Sequence, residues 1–517
     1  MLSSCANRVA PEGGAKDSAP PKLISSQPEN FSHSFQGSEI TLQFDEYIQL
    51  LDAEKQIIVS PLTDEKPEIT ASKKTLKVKF KKPLHANTTY TISFGNAVAD
   101  IHESNALTGF RFVFSTGSFV DSLSIAGIIA DAFTLQPAGD VTVMLYNNND
   151  DSLPYHSRPA YITVSDAAGN FKFENLSAST FKLFALKDKN NNYLYDHHEE
   201  TIAWADEPVK AGDSVLHALL LIKELPKKTK LLNVIAAEPG KAILAFNKKA
   251  NVELKAKSGV ASWHSYSFNQ TGDSITVWMA DTLNDSLNVY LYENNQLFDS
   301  VSLALKKPAS IKQQKSTMLP FTVSVKAFRP GEKISFTASH PLQETNPQLI
   351  KIIADSAENH LQNLKTESET YCVSDFMVMT EKKYELLLLP GAMKDIYGRT
   401  NDTLKVPVKV LSEKETGSLF IQLNNVYPHP LLISLVNDKE QSIRDTVLTG
   451  STPAVFFSYL PAGVYKLKAV EDCHQNGRWD TGDYLKKQKP ERVTYFKEPV
   501  TIRANWDVET TWKPEFK

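Results

Sequence analysis

The sequence predicts an all-β protein of tandem β-sandwich domains that follow an extended N-terminal tether. Short apolar segments alternate with a period of two, as in Ile40-Thr-Leu-Gln-Phe44 and Tyr90-Thr-Ile-Ser-Phe94. Turn-forming residues recur about every 8–12 positions, a spacing typical of sandwiches. No segment has the apolar spacing of an amphipathic helix longer than about two turns. These observations favour a succession of small sandwiches over any helical or mixed fold.

Length and charge narrow the function classes. The chain has 517 residues, enough for about three to five domains. It carries 56 Lys and Arg against 60 Asp and Glu, a net charge of −4, and shows no basic stripe. Nucleic acid is therefore not an expected partner. No apolar run approaches the roughly 18 residues of a membrane span.

The first residues predict a lipid-anchored tether over 1–21. The stretch Leu2-Ser-Ser-Cys5 is similar to the lipobox of bacterial lipoproteins, whose cysteine is acylated after cleavage. Residues 7–21 are polar and rich in Gly and Pro, as in extended linkers. We expect Cys5 to carry lipid. The alternative is a chance cysteine near a disordered terminus.

Two kinds of domain recur along the predicted succession of sandwiches. The first kind is expected at 22–118 and again at 311–412, where Gly331-Glu-Lys-Ile-Ser-Phe336 mirrors Gly37-Ser-Glu-Ile-Thr-Leu42. The second kind is expected at 119–225 and 413–517. In both copies an apolar strand, Phe181–Leu186 or Tyr465–Val470, runs directly into a loop rich in Asp and Asn. Residues 226–310 are expected to form a sandwich of uncertain type.

The two Asp/Asn loops, residues 188–199 and 472–483, predict cation sites. Positions 1, 3, 5, 9 and 12 of loop 1 carry oxygen-bearing side chains at the spacing used by calcium loops, and loop 2 does so at positions 1, 5, 9 and 12. A backbone carbonyl is expected at position 7, Leu194 or Arg478. Position 6, which turns sharply, is Tyr193 in the first loop and Gly477 in the second. The predicted Ca²⁺ ligands are Asp188, Asn190, Asn192, Asp196 and Glu199 in loop 1, and Asp472, Asn476, Asp480 and Asp483 in loop 2.

Two observations leave the calcium hypothesis open at this stage. His474 stands at position 3 of loop 2 and is a poor calcium ligand, so we expect it to tilt away. Asn and Asp also tolerate left-handed backbone, so loops of this composition can be simple turns that need no metal. The predicted role of the ion is structural. A zinc site at His197 and His198 is disfavoured, because adjacent strand residues point to opposite faces.

No motif predicts catalysis. The chain lacks nucleophile elbows, paired zinc-protease histidines and phosphate loops. The adjacent Asp45 and Glu46 diverge along a strand, so they do not form an acid pair for glycoside hydrolysis. Trp479, Trp506 and Trp512 are candidate interface residues, with core packing and sugar stacking as alternatives. Cys372 and Cys473 are expected to be buried free thiols.

Motifs in several parts of the chain resemble known families. Phe44-Asp-Glu-Tyr-Ile48 followed by a final Phe-x-Phe-Ser-Thr-Gly strand resembles the bacterial Ig-like domain of S-layer and Bacteroidota surface proteins. Gly169–Leu176 followed by a Phe-x-Leu-x-Ala strand resembles transthyretin-like, carboxypeptidase-regulatory-like domains. Cys5-Ala-Asn-Arg8 and the tether Pro11–Pro21 are similar to the start of Ig-like-domain lipoproteins of Bacteroidota.

The resemblance implies export and lipid anchorage at the outer membrane, and it implies no reaction. We expect a non-enzymatic scaffold or accessory subunit of an envelope complex built on an outer-membrane β-barrel or other envelope proteins, serving protein insertion, export or uptake. The alternative is a carbohydrate- or matrix-binding adhesion module. The cell surface is favoured over the periplasmic face, although the first acidic residue after Cys5 is Glu12, whereas surface lipoproteins often carry acidic residues directly after the cysteine.

Overall fold

A computed structural model describes residues 17–196, 199–238, 240–257, 263–269, 271–279, 286–304, 321–322, 328–355, 357–380, 382–424, 427–449 and 454–516. Within these ranges the secondary structure is almost entirely strand. The exceptions are two helices of one turn, α1 (Ala53–Gln56) and α2 (Leu153–His156), and a 3₁₀ turn at Pro347–Leu349. Neither helix is long and apolar enough to cross a membrane. The predicted all-β class is confirmed.

The strands fall into five consecutive groups, and no sheet in the described ranges joins two of them. Sandwich 1 contains β1 (Leu23–Gln27), β2 (Glu39–Phe44), β3 (Ile48–Leu50), β4 (Ile58–Ser60), β5 (Glu68–Ser72), β6 (Thr75–Lys79), β7 (Thr89–Ser93), β8 (Val98–Asp100) and β9 (Arg111–Ser115). Sandwich 2 contains β10 (Leu123–Asp131), β11 (Thr142–Tyr146), β12 (Tyr161–Val164), β13 (Asn170–Leu176), β14 (Thr180–Leu186), β15 (Ile202–Trp204), β16 (Val209–Lys210) and β17 (Leu216–Leu221).

The remaining strands form three further groups. Sandwich 3 contains β18 (Leu231–Glu238), β19 (Lys241–Phe246), β20 (Val252–Ala256), β21 (Trp263–Phe268), β22 (Ser274–Met279), β23 (Ser286–Glu293) and β24 (Gln296–Ala304). Sandwich 4 contains β25 (Phe321–Thr322), β26 (Lys333–Ala338), β27 (Leu342–Thr345), β28 (Ile350–Ala354), β29 (Ala357–His360), β30 (Leu364–Ser368), β31 (Tyr371–Met377), β32 (Tyr384–Leu388), β33 (Met393–Asp395) and β34 (Leu404–Val408). Sandwich 5 contains β35 (Thr416–Leu423), β36 (Leu431–Val436), β37 (Ser442–Leu448), β38 (Ala454–Pro461), β39 (Gly463–Glu471), β40 (Val493–Tyr495), β41 (Val500–Ile502) and β42 (Asp507–Trp512).

Sandwiches 1 and 4 share one strand order. Sandwich 1 has a sheet β1-β2-β6-β5, a sheet β4-β7-β9 and the pair β3-β8. Sandwich 4 has β25-β26-β31-β30, β28-β32-β34 with β29 added at the edge, and the pair β27-β33. Sandwich 3, whose type the sequence left uncertain, has β18-β19-β22-β21 and β20-β23-β24. Among its described residues, sandwich 3 therefore has the same order of the two larger sheets and no two-stranded pair.

Sandwiches 2 and 5 share a second strand order. One sheet is β13-β10-β17 in sandwich 2 and β38-β35-β42 in sandwich 5. In this sheet β10 pairs in parallel with β17, and β35 pairs in parallel with β42. The other sheet is β12-β11-β14-β15 with β16 against β14, and β37-β36-β39-β40 with β41 against β39. Because the register also corresponds, positions in the two copies can be matched residue by residue.

Each sandwich has its own apolar core, produced by the period-two pattern. In β2, for example, Ile40, Leu42 and Phe44 are fully buried while the alternate side chains face outward. Because successive strand residues point to opposite faces, this alternation gives each sheet one apolar face to bury against the other sheet.

The chain divides into two compact units that do not follow the linear order of the sandwiches. The first unit comprises Met1–Glu224 and Trp479–Val493, and the second comprises Leu225–Arg478 and Thr494–Lys517. The sequence placed all of 413–517 in one domain. The structure instead assigns Trp479–Val493, which we call the inserted segment, to the unit that contains sandwiches 1 and 2.

The Asp/Asn loops as candidate cation sites

Loop 1 is folded around the carboxylate of Asp188. Its Oδ1 accepts hydrogen bonds from the backbone N–H groups of Asn190 (3.1 Å) and Asn191 (2.7 Å), and its Oδ2 accepts one from Tyr193 (2.8 Å). A carboxylate that accepts several backbone N–H groups closes a tight turn without help from a metal. Position 1 of the loop is therefore an organising residue whether or not an ion binds.

Three of the other predicted ligands lie together beside this turn. Asn190 Nδ2 donates to Asp196 Oδ1 at 3.1 Å, and Asn192 Nδ2 donates to Asp196 Oδ2 at 2.8 Å. In this orientation the amide N–H₂ groups, rather than the carbonyl oxygens, face the carboxylate. A cation would require the two amides to rotate so that their oxygens point inward, because only the oxygens can bind Ca²⁺.

The structure buries Glu200, the neighbour of the predicted ligand Glu199, against this loop. Glu199 is exposed. Glu200 is buried, and its carboxylate accepts hydrogen bonds from the N–H groups of Lys189 and Asp196, both at 3.1 Å. The twelve-residue spacing belongs to loops between two helices. This loop instead returns to a strand that begins at Ile202, and the preceding residue, Thr201, accepts a hydrogen bond from Lys187 N–H through its carbonyl. The inward side chain therefore falls one residue later.

Loop 2 repeats the first half of this design. Asp472 is buried, and its carboxylate accepts hydrogen bonds from Asn476 N–H (3.0 Å) and Gly477 N–H (2.8 Å). Asn476 Oδ1 accepts from Arg478 N–H at 3.1 Å, as Asn192 Oδ1 accepts from Leu194 N–H at 2.7 Å in loop 1.

The two loops also turn at the same positions. Positions 4 and 6 have left-handed backbone in both, with φ of 57° and 63° at Asn191 and Tyr193 and 54° and 73° at Gln475 and Gly477. Glycine adopts this conformation without strain, whereas tyrosine pays a steric cost. The missing glycine of loop 1 therefore changes the cost of the turn and not its geometry.

The later part of loop 2 belongs to the inserted segment, and this segment also contains, beyond the loop, a buried acid that the spacing missed. Glu491 is buried, and its Oε2 accepts a hydrogen bond from Asp480 N–H at 3.0 Å, as Glu200 does from Asp196. The predicted Asp483 instead accepts from Lys486 N–H within its own turn and pairs with the Lys486 ammonium at 3.0 Å. No fixed loop spacing could have found Glu491.

The carboxylates of loop 1 are near one another without forming a closed cage. Asp188, Asp196 and Glu200 are not among the trios of described side chains whose ligand atoms all lie within 4.8 Å of one another. Closing the ring on a cation would require the amide rotations described above. The disfavoured zinc pair His197 and His198 lies outside the described residues, as does Cys5.

The three candidate interface tryptophans have three different environments. Trp512 is only 5% exposed and packs in the core of sandwich 5 against Phe496, so its interface role is wrong. It ends β42 on the inward face of the sheet. Trp479 packs at a tilted angle against Phe133 within the first unit, with ring centroids 4.8 Å apart. Trp506 is 58% exposed, and it remains an interface candidate.

The cysteines differ from one another as well. Cys372 is buried in β31, as predicted, and burial raises the pKa of its thiol. Cys473 is exposed, so the prediction of a second buried thiol was wrong. Cys473 lies in the loop that follows β39. The apolar pattern of the strand does not extend into this loop, so it could not predict whether Cys473 is buried.

The outer face of sandwich 5 carries an exposed aromatic pair. Phe420 and Phe456 are direct cross-strand neighbours and are 36% and 62% exposed. The matched positions in sandwich 2 are Ala126 and Lys172, which follow the buried pair Ile125 and Phe173 in the same register. The fold therefore does not require aromatic residues here.

The inserted segment packs into the first unit through Tyr484. Its ring is fully buried and contacts Phe184, Trp204 and Tyr155, with ring centroids 5.0–6.4 Å apart. Burial raises the pKa of its hydroxyl. Thr481 Oγ1 donates to the Lys223 carbonyl at 2.8 Å. Sandwich 2 thus accepts an aromatic plug from a distant part of the sequence.

Charged groups surround this plug. Asp151 pairs with Lys182 and, at 2.6 Å, with Lys487. Hydrogen bonds from these two lysines lower the pKa of Asp151 from 3.8 to about 2. Because the pKa is lowered in the fold, the stabilisation is present above the unfolded value of 3.8 and is lost as the pH falls towards 2. Lys489 pairs with Asp206 at 2.8 Å and lies over the Trp204 ring.

Comparisons with known proteins give a family match for one part of the chain. The search of curated proteins found no match to the chain. Similar solved structures include the Bacillus anthracis TIE protein, at 9% identity over 97% of this chain and 76% of that one, TM-score 0.15. The S-layer protein rSbsC(31-844) matches at 12% identity over 93% and 67%, TM-score 0.15. The Bacteroides ovatus mixed-linkage glucan utilisation protein SGBP-B matches at 10% identity over 74% and 91%, TM-score 0.19. TM-scores this low carry no argument about function. Residues 17–116, which contain sandwich 1, match the family model described as the bacterial Ig-like domain.

Proposed function

We propose that this protein is a non-enzymatic scaffold or accessory subunit of the bacterial envelope, lipid-anchored through Cys5 at the outer membrane and facing the cell surface. Its partner would be another envelope protein, such as an outer-membrane β-barrel that works in protein insertion, export or uptake. The bacterial Ig-like domain and the two repeated sandwich topologies support a structural role. Such sandwiches host many functions, so the argument has to come from a surface.

The exposed pair Phe420 and Phe456 carries the proposal. Two adjacent phenylalanines in contact with water are unfavourable, because their apolar surface is not buried. The fold does not need them, because sandwich 2 has Ala126 and Lys172 at the same positions. Aromatic side chains are enriched where protein interfaces bury their central contacts. We infer that this face of sandwich 5 contacts a protein partner.

Replacing the pair with the residues of sandwich 2 tests this inference. The double variant Phe420→Ala, Phe456→Lys should fold normally, since the same topology tolerates both residues. We expect its affinity for the partner recovered by affinity purification and mass spectrometry to fall by about tenfold or more. Phe119→Ser, at a 67% exposed position in the first unit, is the matched control. Equal recovery of the partner by the double variant would exclude this face.

A carbohydrate- or matrix-binding module is the second candidate, and one observation favours it. Trp506 is 58% exposed, with the Arg503 guanidinium 5.8 Å from its ring centre. An exposed indole can stack on a sugar ring as well as on a protein. Glycan-array binding that is lost in Trp506→Ala, with unchanged protein recovery, would favour the carbohydrate function over the scaffold.

We propose further that loops 1 and 2 bind Ca²⁺ as a structural ion. Support comes from the matching oxygen positions, the shared left-handed turns and the buried Glu200 and Glu491. Binding to the folded state alone stabilises by about 2.7 kcal/mol at one hundred times Kd. The melting temperature should therefore rise with calcium and fall with chelator. The double variant Asp188→Asn, Asp472→Asn should show no such change. If neither calcium nor chelator changed the melting temperature, the loops would be simple turns that bind no ion.

The lipid anchor has its own test. Cys5→Ala should move the protein from the membrane fraction to the soluble fraction, because no described helix offers an alternative span. Mass spectrometry of the N-terminal peptide should show acylation in the wild type only. Cys372→Ala serves as the control cysteine. A Cys5→Ala protein that stays in the membrane fraction after partner contacts are disrupted by salt would contradict the anchor.

A further inference from the structure

A second kind of metal-ligand cluster lies in the second unit, at the edge of sandwich 5. The side chains of His429, Glu471 and Cys473 each place one ligand atom so that all three lie within 4.8 Å of one another. The strand register explains why they meet. Leu431 pairs with Glu471 across β36 and β39, and the Asp472 N–H bonds the Pro430 carbonyl, so His429 lies opposite Cys473.

The burial and solvent access of these groups suit a metal. Glu471 is only 2% exposed, whereas Cys473 is exposed and gives access from solvent. The Nδ1 atom of His429 is buried and has no hydrogen-bond partner among the described residues. A buried ring nitrogen without a partner is costly, and a metal bond removes that cost.

The cluster is not a by-product of the sandwich topology. Glu471 and Cys473 flank the first Asp of loop 2, and the residues that flank the first Asp of loop 1 are Lys187 and Lys189. The strand register matches His429 with Gly139. None of these can serve as a comparable ligand, and two of them are cationic at neutral pH. Three ligand-type residues therefore replace one glycine and two lysines in only one of the two copies.

We propose that His429, Glu471 and Cys473 form a Zn²⁺ site distinct from the calcium loops. An imidazole, a thiolate and one carboxylate form a ligand set that favours zinc over calcium, because calcium takes only oxygen ligands. Zinc would bind the neutral imidazole and the Glu471 carboxylate. The Cys473 thiol would release its proton to solvent on forming the Zn–S bond, and a water molecule would complete the tetrahedron.

The distances require only small movements. Zinc at about 2.0–2.3 Å from each ligand holds the ligand atoms about 3.3–3.8 Å apart. The present separations of up to 4.8 Å can close by side-chain rotation. Asp472, between two of the ligands in sequence, turns its carboxylate to the amides of Asn476 and Gly477. The zinc ligands and the organiser of loop 2 are therefore separate groups, and the inference does not depend on calcium.

Cobalt spectroscopy of the full chain tests the site. Co²⁺ added to the reduced protein should produce thiolate charge-transfer absorption and the visible bands of a tetrahedral ion, and Zn²⁺ should displace both. Cys473→Ser should abolish the charge-transfer band and weaken Zn²⁺ binding by at least about tenfold, and His429→Gln should weaken it similarly. Cys372→Ser is the matched control and should leave the spectrum unchanged. Persistence of the band in Cys473→Ser, or no band in the folded wild type, would overturn the proposal.

Alkylation of the wild type covers the case in which a variant fails to fold. Zn²⁺ should slow the modification of Cys473 by iodoacetamide by about tenfold or more, read peptide by peptide, because a metal-bound thiolate is a poorer nucleophile and is shielded. Calcium at the same concentration should give no protection. Equal rates with and without zinc would refute the site even if every variant were unstable.

Discussion

Tyr484→Ala is expected to destabilise the first unit by about 3–5 kcal/mol, the usual cost of deleting a buried aromatic ring. The ring is 0% exposed and fills a space lined by Phe184, Trp204 and Tyr155. Its loss would leave a cavity that the rigid strands around it cannot close. The neighbouring Leu485 is 44% exposed, and Leu485→Ala should change stability by no more than about 0.5 kcal/mol.

Hydrogen exchange is the right measurement for this effect, since a chain of several domains does not unfold in one two-state step. Amides of β14, β15 and the inserted segment should exchange about a hundredfold faster or more in Tyr484→Ala, which corresponds to about 3 kcal/mol. Amides of sandwich 3 should be unaffected. Tyr484→Phe should stay close to the wild type, because the hydroxyl makes only a 3.4 Å contact with Asp151. Unchanged exchange in the inserted segment of Tyr484→Ala would show that the ring does not hold it.

Glu200→Ala should cost about 3 kcal/mol even without calcium. The buried carboxylate accepts from Lys189 and Asp196 N–H, and its removal leaves both donors without this acceptor. Hydrogen bonds to a charged group contribute about 1.5–3 kcal/mol each. The exposed neighbour is the matched control, and Glu199→Ala should cost less than about 1 kcal/mol.

Glutamine variants at the same two positions separate turn formation from cation binding. Glu200→Gln keeps an oxygen acceptor but removes the charge, so the loop should fold while its thermal response to calcium weakens. Amide exchange at 188–200 reports the first property, and melting with and without calcium reports the second. If Glu199→Gln weakened the calcium response and Glu200→Gln did not, the spacing taken from helical calcium loops would be correct and the buried acid would be structural only.

The sequence by itself determined the fold class, the repeated strand patterns and the two Asp/Asn loops. Period-two alternation is a local property, because each buried side chain such as Leu42 or Val78 is specified by its own strand. The organising role of Asp188 and Asp472 is also local, since each carboxylate accepts from amides within five residues of itself.

The tertiary structure alone decided which side chains meet across long separations in the chain. Burial of Glu200 in place of Glu199 depends on where the chain re-enters a sheet, and the pairing of Glu491 with Asp480 depends on the path of the inserted segment. Strand register brought His429 opposite Cys473, and Tyr484 found its partners about 280–330 positions away. A pattern of residue types encodes which face of an element is apolar. It does not encode which other element covers that face, because any apolar surface of suitable shape satisfies the same local pattern.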